Sequence, residues 1–167
     1  MPDDISIDPA DFRRVLGNYP TGVTVVAAHH DGVSSGLAIG SFFSISLDPP
    51  LIGFCVGNTS SSWKSVEEVG HFVVNVLSDS QGDLSGIFAG KSEDKFAGVP
   101  WSPGPGHGSP RIEGCLAHID CSLESVLPGG DHVIVVGRVH ALDVSADPDA
   151  GPLLFFRGGY GRFDQLG

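Results

Sequence analysis

Cationic residues are scarce in this chain of 167 residues: nine Lys and Arg stand against 20 Asp and Glu, for a formal net charge of −11. A surface of this charge repels nucleic acids and anionic membranes, and no Lys/Arg-rich stretch offsets the repulsion locally. No apolar run approaches the roughly 20 residues of a membrane-spanning helix. The first residues are acidic, whereas a signal peptide begins basic and then apolar. We therefore expect a cytoplasmic protein that binds neither nucleic acid nor membrane.

Cysteine is also rare, with only Cys55, Cys115 and Cys121 in the chain. An odd number of cysteines without a C-x-x-C spacing favours neither a disulfide framework nor a structural zinc site. We therefore expect buried thiols. The seven histidines do not occur at a metal-ligand spacing such as H-x-x-x-H, so we expect no protein-bound metal.

Glycine and proline, by contrast, are abundant, with 24 and 12 residues scattered between apolar β-branched runs. This pattern is typical of a turn-rich β fold. The length fits a single domain over residues 1–167, with residues 1–10 as a flexible acidic arm. It leaves no room for a second domain that would bind a nicotinamide dinucleotide, so one site must carry the whole function.

Hydrophobic periodicity and turn residues predict short helices between many strands. Helices are predicted at 9–16 after the N-cap Asp8, at 63–69, and after a capping box formed by Ser78 and Gln81. Strands are predicted at 23–28, 33–39, 42–47, 51–56, 72–77, 116–127 and 133–144, with residues 98–110 as a long loop. Strands that follow one another through hairpin turns predict a mainly β fold, an antiparallel barrel with small α inserts.

Two glycine motifs match enzyme signatures by their letters only. Residues 32–36 fit the G-x-S-x-G nucleophile elbow, but that motif needs a helix after it and here a strand is predicted. Residues 104–108 resemble a dinucleotide fingerprint, yet Ser109 replaces the third glycine and no helix begins there. Neither a hydrolase nor a Rossmann unit is therefore expected.

Two polar segments are stronger candidates for a site. Residues 58–62, with the sequence NTSSS, precede the helix of Trp63, and hydroxyl and N–H groups at a helix N-terminus can bind phosphate. Plain N-capping by one serine explains this segment equally well. Residues 130–132, with the sequence GDH, lie at a hairpin exit. Turn formation alone explains Gly and Asp there, and on the residues alone it favours an incidental histidine over a functional one.

Taken together and in order, these segments resemble the flavin reductase-like family, which folds as a split β-barrel and binds FMN. The match runs from about Phe12 to Tyr160. Its parts are 19–26 (YPTGVTVV), 36–51 (GLAIGSFFSISLDPPL), 72–77 (FVVNVL), Gln81, Phe88, 94–96 (DKF), 130–132 (GDH), 152–154 (PLL) and Tyr160. An ordered set of this kind is far more specific than any one member.

The resemblance implies an FMN-binding split β-barrel that works as a homodimer and uses NADH or NADPH to reduce free FMN or FAD. The hydride passes to flavin N5, which requires close stacking of the two rings, while the protein supplies geometry and electrostatics. The reduced flavin then serves a partner monooxygenase.

The same resemblance implies which residues form the site. His132 is the catalytic candidate, placed at the nicotinamide face, where it orients the carboxamide. Ser41 and residues 60–62 hold the ribityl and phosphate groups, and Lys95 supplies a positive charge. The full cofactor-binding set is Ala38, Ile39, Gly40, Ser41, Asn58, Thr59, Ser60, Ser61, Ser62, Lys95, Phe96 and Tyr160.

Ala38 and Gly40 depart from the family pattern, because many relatives carry Thr and Asn there and use those side chains to bind the flavin. Backbone N–H groups of residues 38–41 can still reach the isoalloxazine edge, and small residues allow close approach. Two other functions stay open: a flavin- or haem-binding module without reductase turnover, and an enzyme that keeps its flavin as a tightly bound prosthetic group.

Overall fold

The computed structural model describes residues 6–144, 147 and 149–166, and antiparallel β-strands are its main secondary structure. Three helices lie among these residues: α1 (Pro9–Leu16), α2 (Ser61–Val69) and α3 (Gly82–Ala89). The strands are β1 (Thr21–Gly22), β2 (Thr24–His30), β3 (Val33–Ile39), β4 (Phe43–Leu47), β5 (Pro50–Gly57), β6 (His71–Val76), β7 (Trp101–Pro103), β8 (Pro110–Ile112), β9 (Ala117–Gly129), β10 (His132–Val144), β11 (Leu153–Phe156) and β12 (Gly159–Arg162). None of the described helices is long and apolar enough to cross a lipid bilayer.

A seven-stranded antiparallel sheet in the order β3-β2-β6-β9-β10-β5-β4 forms the body of the molecule. Strand β2 is buried on both faces: Val26 joins a core cluster with Phe54 and Phe72, whereas Val25 joins a second cluster with Phe88. Because successive side chains of a strand point to opposite faces, the continuous apolar run in β2 supplies both cores. The mainly β, antiparallel prediction is confirmed.

The predicted long elements agree with the observed ones to within a few residues. Pro9 begins α1, Asp8 caps it, and the helix ends before Gly17. Asp31 and Gly32 form the turn between β2 and β3 with φ values of 49° and 79°. Because β3 follows this turn directly, the G-x-S-x-G letters at 32–36 do not form a nucleophile elbow. Residues 9 and 10 of the predicted acidic arm belong to α1, and residues 1–5 lie outside the described part of the chain.

Short strands were missed from the sequence. The predicted loop 98–110 contains β7 and the start of β8, which pair with each other, and β1, β11 and β12 form a three-stranded sheet. These strands have two to four residues each, too few for an alternating pattern to be visible. The pairing partner of β1 also lies far away in the chain, since Gly22 pairs with Leu154.

The prediction of a capping box at Ser78 is wrong for one of its two contacts, the one from the Ser78 side chain to the helix. Helix α3 begins at Gly82, and the Ser78 hydroxyl bonds Ser80 at 3.0 Å. The reverse contact is present, because the Ser78 N–H donates to Gln81 Oε1 at 2.9 Å. Ser78 also forms an isolated bridge with Pro152, which keeps its backbone extended and outside the helix.

A polar layer holds the glycine-rich segment 98–115 against the sheet. The buried Asn75 donates to the carbonyls of Val25 and Pro110, both at 3.1 Å, and its Oδ1 accepts from the Ile112 N–H at 2.8 Å. Arg111 binds both Asp120 and Asp143. This segment is therefore an ordered cover of the sheet.

Candidate functional site

The loop between β5 and α2 carries the serine-rich segment. Ser60 is the N-cap of α2, and its Oγ accepts from the Trp63 N–H at 3.2 Å. Trp63 and Val66 are buried, with 3% and 0% exposure, so the N-terminus of the helix is fixed to the core. Capping occupies Ser60 alone, which leaves Ser61, Ser62 and the first-turn N–H groups at an open helix end, where an anion binds favourably.

A groove opens over this helix end. One part, of about 460 Å³, lies between the β5–α2 loop and the end of α3; a second, of about 320 Å³, continues along β3. The two parts share Ser61, Ser62, Lys91, Ser92 and Lys95. We call their union the serine groove. Lys91 and Ser92 were not predicted, although Lys91 is one of few cations and lies four residues before Lys95.

Lys95 is buried beneath the serine groove at 8% exposure. Its Nζ donates to Ser62 Oγ and the Phe88 carbonyl, both at 3.0 Å, and to the Gly36 carbonyl at 3.2 Å. Because an ammonium group has three hydrogens, these contacts use all of its donors. Burial lowers the pKa of the Lys95 ammonium. Lys95 therefore fixes Ser62 and contributes its charge through space.

Phe96 follows Lys95 but lies in the second core cluster. Its ring packs edge-to-face on Phe88, with centroids 4.9 Å apart, and on Trp101, at 6.4 Å. A Cβ on Gly36 would lie 3.3 Å from the Phe96 ring, so that glycine permits the packing. Phe96 supports the floor of the groove through β3.

Residues 38–41 run from the end of β3 into the next loop. Ala38 is half-buried, Ile39 is buried, and Gly40 and Ser41 are exposed. The Ser41 hydroxyl donates to the Cys55 carbonyl at 3.0 Å and accepts from the Cys55 N–H at 2.8 Å. This double contact fixes the loop to β5, two residues before Gly57, which is about 7 Å along the strand.

Gly40 lies against strand β1, and the contact explains its size. A Cβ at this position would lie 3.2 Å from Thr21 Oγ1. A larger residue such as Asn would therefore need Thr21 to move. Gly40 and Thr21 border a cavity of about 570 Å³ that also includes Tyr19 and Ser41.

His132 is the first residue of β10 and pairs with Gly57 of β5. Its Nδ1 lies 2.7 Å from Asp131 Oδ1. Because a carboxylate only accepts hydrogen bonds, Nδ1 carries the proton in this contact and Nε2 is the free nitrogen. The hydrogen bond from His132 lowers the pKa of the Asp131 carboxyl. The pairing places His132 beside Gly57, which lines the serine groove.

Asn58 joins the two predicted segments directly. Its backbone N–H donates to the Asp131 carbonyl at 3.0 Å, and its side chain donates to the Gly130 carbonyl at 3.2 Å. Thr59 follows as an exposed residue of the groove wall. Residues 57–62 and 130–132 therefore form one unit.

Tyr160 lies elsewhere within the single chain. Its hydroxyl donates to Ser85 Oγ on α3 at 2.8 Å, and its ring packs on Phe155 with centroids 5.6 Å apart. Among the described residues it does not line the serine groove. These contacts join residues 58–62 to Lys95 and to the turn before His132. Ser41 is fixed to Cys55 of β5, and Gly40 and Ser41 line a separate cavity. Tyr160 lies at the middle of α3.

The chain matches the family described as "Flavin reductase like domain" over residues 16–164. It is 52% identical over 162 residues to a flavin reductase of Pseudomonas putida, covering 96% of this chain and 94% of that protein. It is 49% identical over 154 residues to the "Flavin-dependent monooxygenase, reductase subunit HsaB" of Mycobacterium tuberculosis, covering 92% and 82%.

A solved structure shares the fold. The "NADH:FAD oxidoreductase SgcE6" of Streptomyces globisporus, in complex with NAD and FAD fragments, superposes with a TM-score of 0.87 at 36% identity, covering 96% of this chain and 98% of that one. The split-barrel fold implied by the sequence is thereby confirmed. The chain therefore belongs to the flavin reductase-like family and is a flavin reductase, an oxidoreductase.

Proposed function

We propose that the protein uses NADH or NADPH to reduce free FMN or FAD, and that a separate monooxygenase receives the reduced flavin. The observation that carries this proposal is the joining of the serine groove to His132 by Asn58. One compact site then holds an anion-binding helix end and an imidazole on neighbouring elements. The relatives named as monooxygenase reductase subunits support the partner.

The flavin phosphate fits the serine groove. Ser61 and Ser62 offer hydroxyls beside the free N–H groups of α2, and Lys91 is an exposed cation on the same wall. In a protein of net charge −11, two lysines at one groove provide a local attraction for phosphate. Lys95 keeps Ser62 in place and adds its charge from below.

The flavin ring fits along residues 38–41 beside β5. Gly40 and Ser41 are exposed, and their small side chains let a planar ring approach the backbone. Since Ser41 is fixed by both polar groups of Cys55, the loop is pre-organised. The absence of large polar side chains at Ala38 and Gly40 suits a flavin that leaves after reduction.

The nicotinamide fits beside His132. When both ligands are bound, the dihydronicotinamide supplies a hydride that the flavin accepts. His132 positions the carboxamide through its free Nε2, while Asp131 fixes the ring orientation through Nδ1. No proton transfer by the protein is needed for this role.

A homodimer is supported by exposed apolar side chains at two places. On the edge strand β4, Phe43, Ile45 and Leu47 are 43%, 44% and 97% exposed. Helix α1 buries none of its residues, although Phe12 and Val15 lie on one apolar face. In the dimer, Tyr160 of one protomer closes the site of its partner.

Three free cysteines are compatible with the reducing cytoplasm, where we place the protein.

Steady-state oxidation of NADH and NADPH, followed with FMN, FAD or no flavin added to the stripped protein, tests the proposal. Oxidation that saturates with added flavin is the expected result. Flavin binding without oxidation of either nucleotide would instead favour a binding module. Flavin that stays bound through gel filtration at high dilution would favour a prosthetic group.

A further inference from the structure

Three arginines line a cavity on the described part of the chain. The cavity measures about 610 Å³ and lies between α1 and the turn from β11 to β12. We call it the arginine cavity; it is lined by Arg13, Arg14 and Arg157, with Ala10, Gly17 and Asn18. Among the described residues, no acidic side chain lines it. The proposed flavin site uses none of these groups.

Arg157 is held in a fixed orientation. Its Nε and Nη2 donate to Asn18 Oδ1 at 2.8 and 2.6 Å, and the Asn18 amide donates in turn to the Arg14 and Val15 carbonyls. Asn18 is neutral, and the Phe156 ring lies under the guanidinium at 4.9 Å, so among the described residues no carboxylate pairs with Arg157. Nη1 and the second hydrogen of Nη2 remain as donors, and this pre-oriented end of the guanidinium is suited to bind a phosphate through two hydrogen bonds.

The backbone conformation of Arg157 also supports a role for its side chain. Arg157 and Gly158 form the two-residue turn between β11 and β12, with φ values of 49° and 80°. Turns of this kind favour Asn-Gly, and an arginine at positive φ is uncommon. The turn therefore carries arginine where asparagine would fold more easily, which indicates a role for the side chain.

The other arginines add charge that carboxylates only partly offset. The side chain of Arg13 is exposed and makes no hydrogen bond or ion pair with the part of the chain that the structure describes. Arg14 forms an ion pair with Asp11 at 2.9 Å. The cavity thus concentrates three of the nine Lys and Arg residues of an acidic protein. Such a concentration attracts anionic ligands from solution.

The arginine cavity is next, along the chain, to the proposed position of the flavin ring. Asn18 lines it, and the next residue, Tyr19, lines the cavity that contains Gly40 and Ser41. A dinucleotide seated at residues 38–41 can extend along this segment toward the arginines. We propose that the arginine cavity binds a phosphate group of a dinucleotide substrate, which rests on the reductase function proposed above.

Calorimetric titration of the full chain with inorganic pyrophosphate and with adenosine carrying a 2′-phosphate tests this site without turnover. The variants are Arg13→Ala and Arg157→Asn; the second suits the positive φ and keeps the turn folded. Arg162→Ala is the matched control, because it removes the same charge from β12 outside the cavity. We expect binding at least about tenfold weaker in both cavity variants, the size of a lost bidentate contact, and unchanged binding in the control.

Michaelis constants then identify the source of the phosphate. A rise for NADPH but not NADH assigns the 2′-phosphate, and a rise for both assigns their diphosphate. A rise for FAD but not FMN would assign the flavin diphosphate and would contradict the position of the flavin phosphate proposed above. The proposal is overturned if the wild type binds neither phosphate probe, or if the cavity variants bind them as tightly as Arg162→Ala. A wild type that oxidises NADH with flavin while binding neither probe contradicts this site only, and leaves the reductase function intact.

Discussion

The side-chain amide of Asn58 donates to the carbonyl of Gly130 at 3.2 Å, which joins the loop before α2 to the turn before β10. The two residues are 72 positions apart in the chain. Together with the pairing of His132 with Gly57, this contact fixes the position of His132 relative to the serine groove. In the proposed arrangement, the distance between the nicotinamide and flavin ends of the site therefore depends on Asn58, which need not touch either reacting ring.

Asn58→Ala tests that dependence. Loss of one hydrogen bond of about 1 kcal/mol should lower kcat/KM for the dihydronicotinamide roughly fivefold by loosening the 130–132 turn. The flavin dissociation constant should change less than about twofold, since the α2 N-terminus is anchored by Trp63. Steady-state kinetics and fluorescence titration measure the two quantities. Equal losses for both ligands would show that Asn58 merely supports the fold.

The variants Lys95→Met and Lys91→Met separate the role of the buried Lys95 in stability from the role of the exposed Lys91 in flavin binding. Removing Nζ leaves the Gly36 and Phe88 carbonyls without their donor, so we expect a loss of about 2–3 kcal/mol in unfolding free energy. Lys91→Met should leave stability unchanged and weaken flavin binding. Urea denaturation with flavin titration separates the two effects. Equal stabilities of the two variants would contradict this assignment.

Gly36→Ala probes the packing beneath the groove. A Cβ there would lie 2.8 Å from Phe88 Cε1, and both Phe88 and Phe96 would have to move. We expect destabilisation by about 1–3 kcal/mol, as for other overpacked cores. Gly22→Ala is the control, since no other atom of the described residues lies within 4 Å of a Cβ at that glycine. Thermal unfolding of both variants provides the measurement, and indistinguishable midpoints would refute the packing argument.

The stacked pair of His71 and His107 predicts a pH dependence. Their ring centroids are 3.6 Å apart, and burial, followed by His107 and His140, lowers the pKa of His71. Below about pH 6.5 the unfolded chain then binds more protons at this residue than the folded chain does, so stability falls as the pH falls.

Unfolding free energies measured between pH 7 and pH 5 test this sign. The slope should be shallower in His71→Gln than in the wild type. His30→Gln, at an exposed histidine that pairs with Asp31, is the comparison variant. A His71→Gln slope as steep as that of the wild type would show that His71 does not contribute.

Local patterns in the sequence were sufficient to locate the long elements and the two polar segments of the candidate site. The spacing of Trp63, Val66 and Val69 located α2, and the serines before it located the helix end. The turn residues at 130–132 and the start of β10 were equally local. What brings these two places together is the register of Gly57 opposite His132, which the sequence alone does not display.

The parts that were missed depend on contacts between distant residues. Arg157 meets Asn18 across 139 positions, so the arginine cavity has no local signature. Lys95 was expected to supply a positive charge for the phosphate; the sequence did not show that Ser62 and two carbonyls occupy its donors. The direction of a buried side chain follows from tertiary packing, which residue type and spacing do not determine.

Anaerobic rapid mixing of the flavin-loaded protein with NADH or NADPH measures hydride transfer within the site most directly. In the wild type, the flavin absorbance should bleach in a single turnover at a rate that saturates with nucleotide. In His132→Ala, the rate should fall about tenfold or more while flavin binding is retained. A flavin that stays oxidised in the wild type, with both ligands shown to bind, would contradict the account.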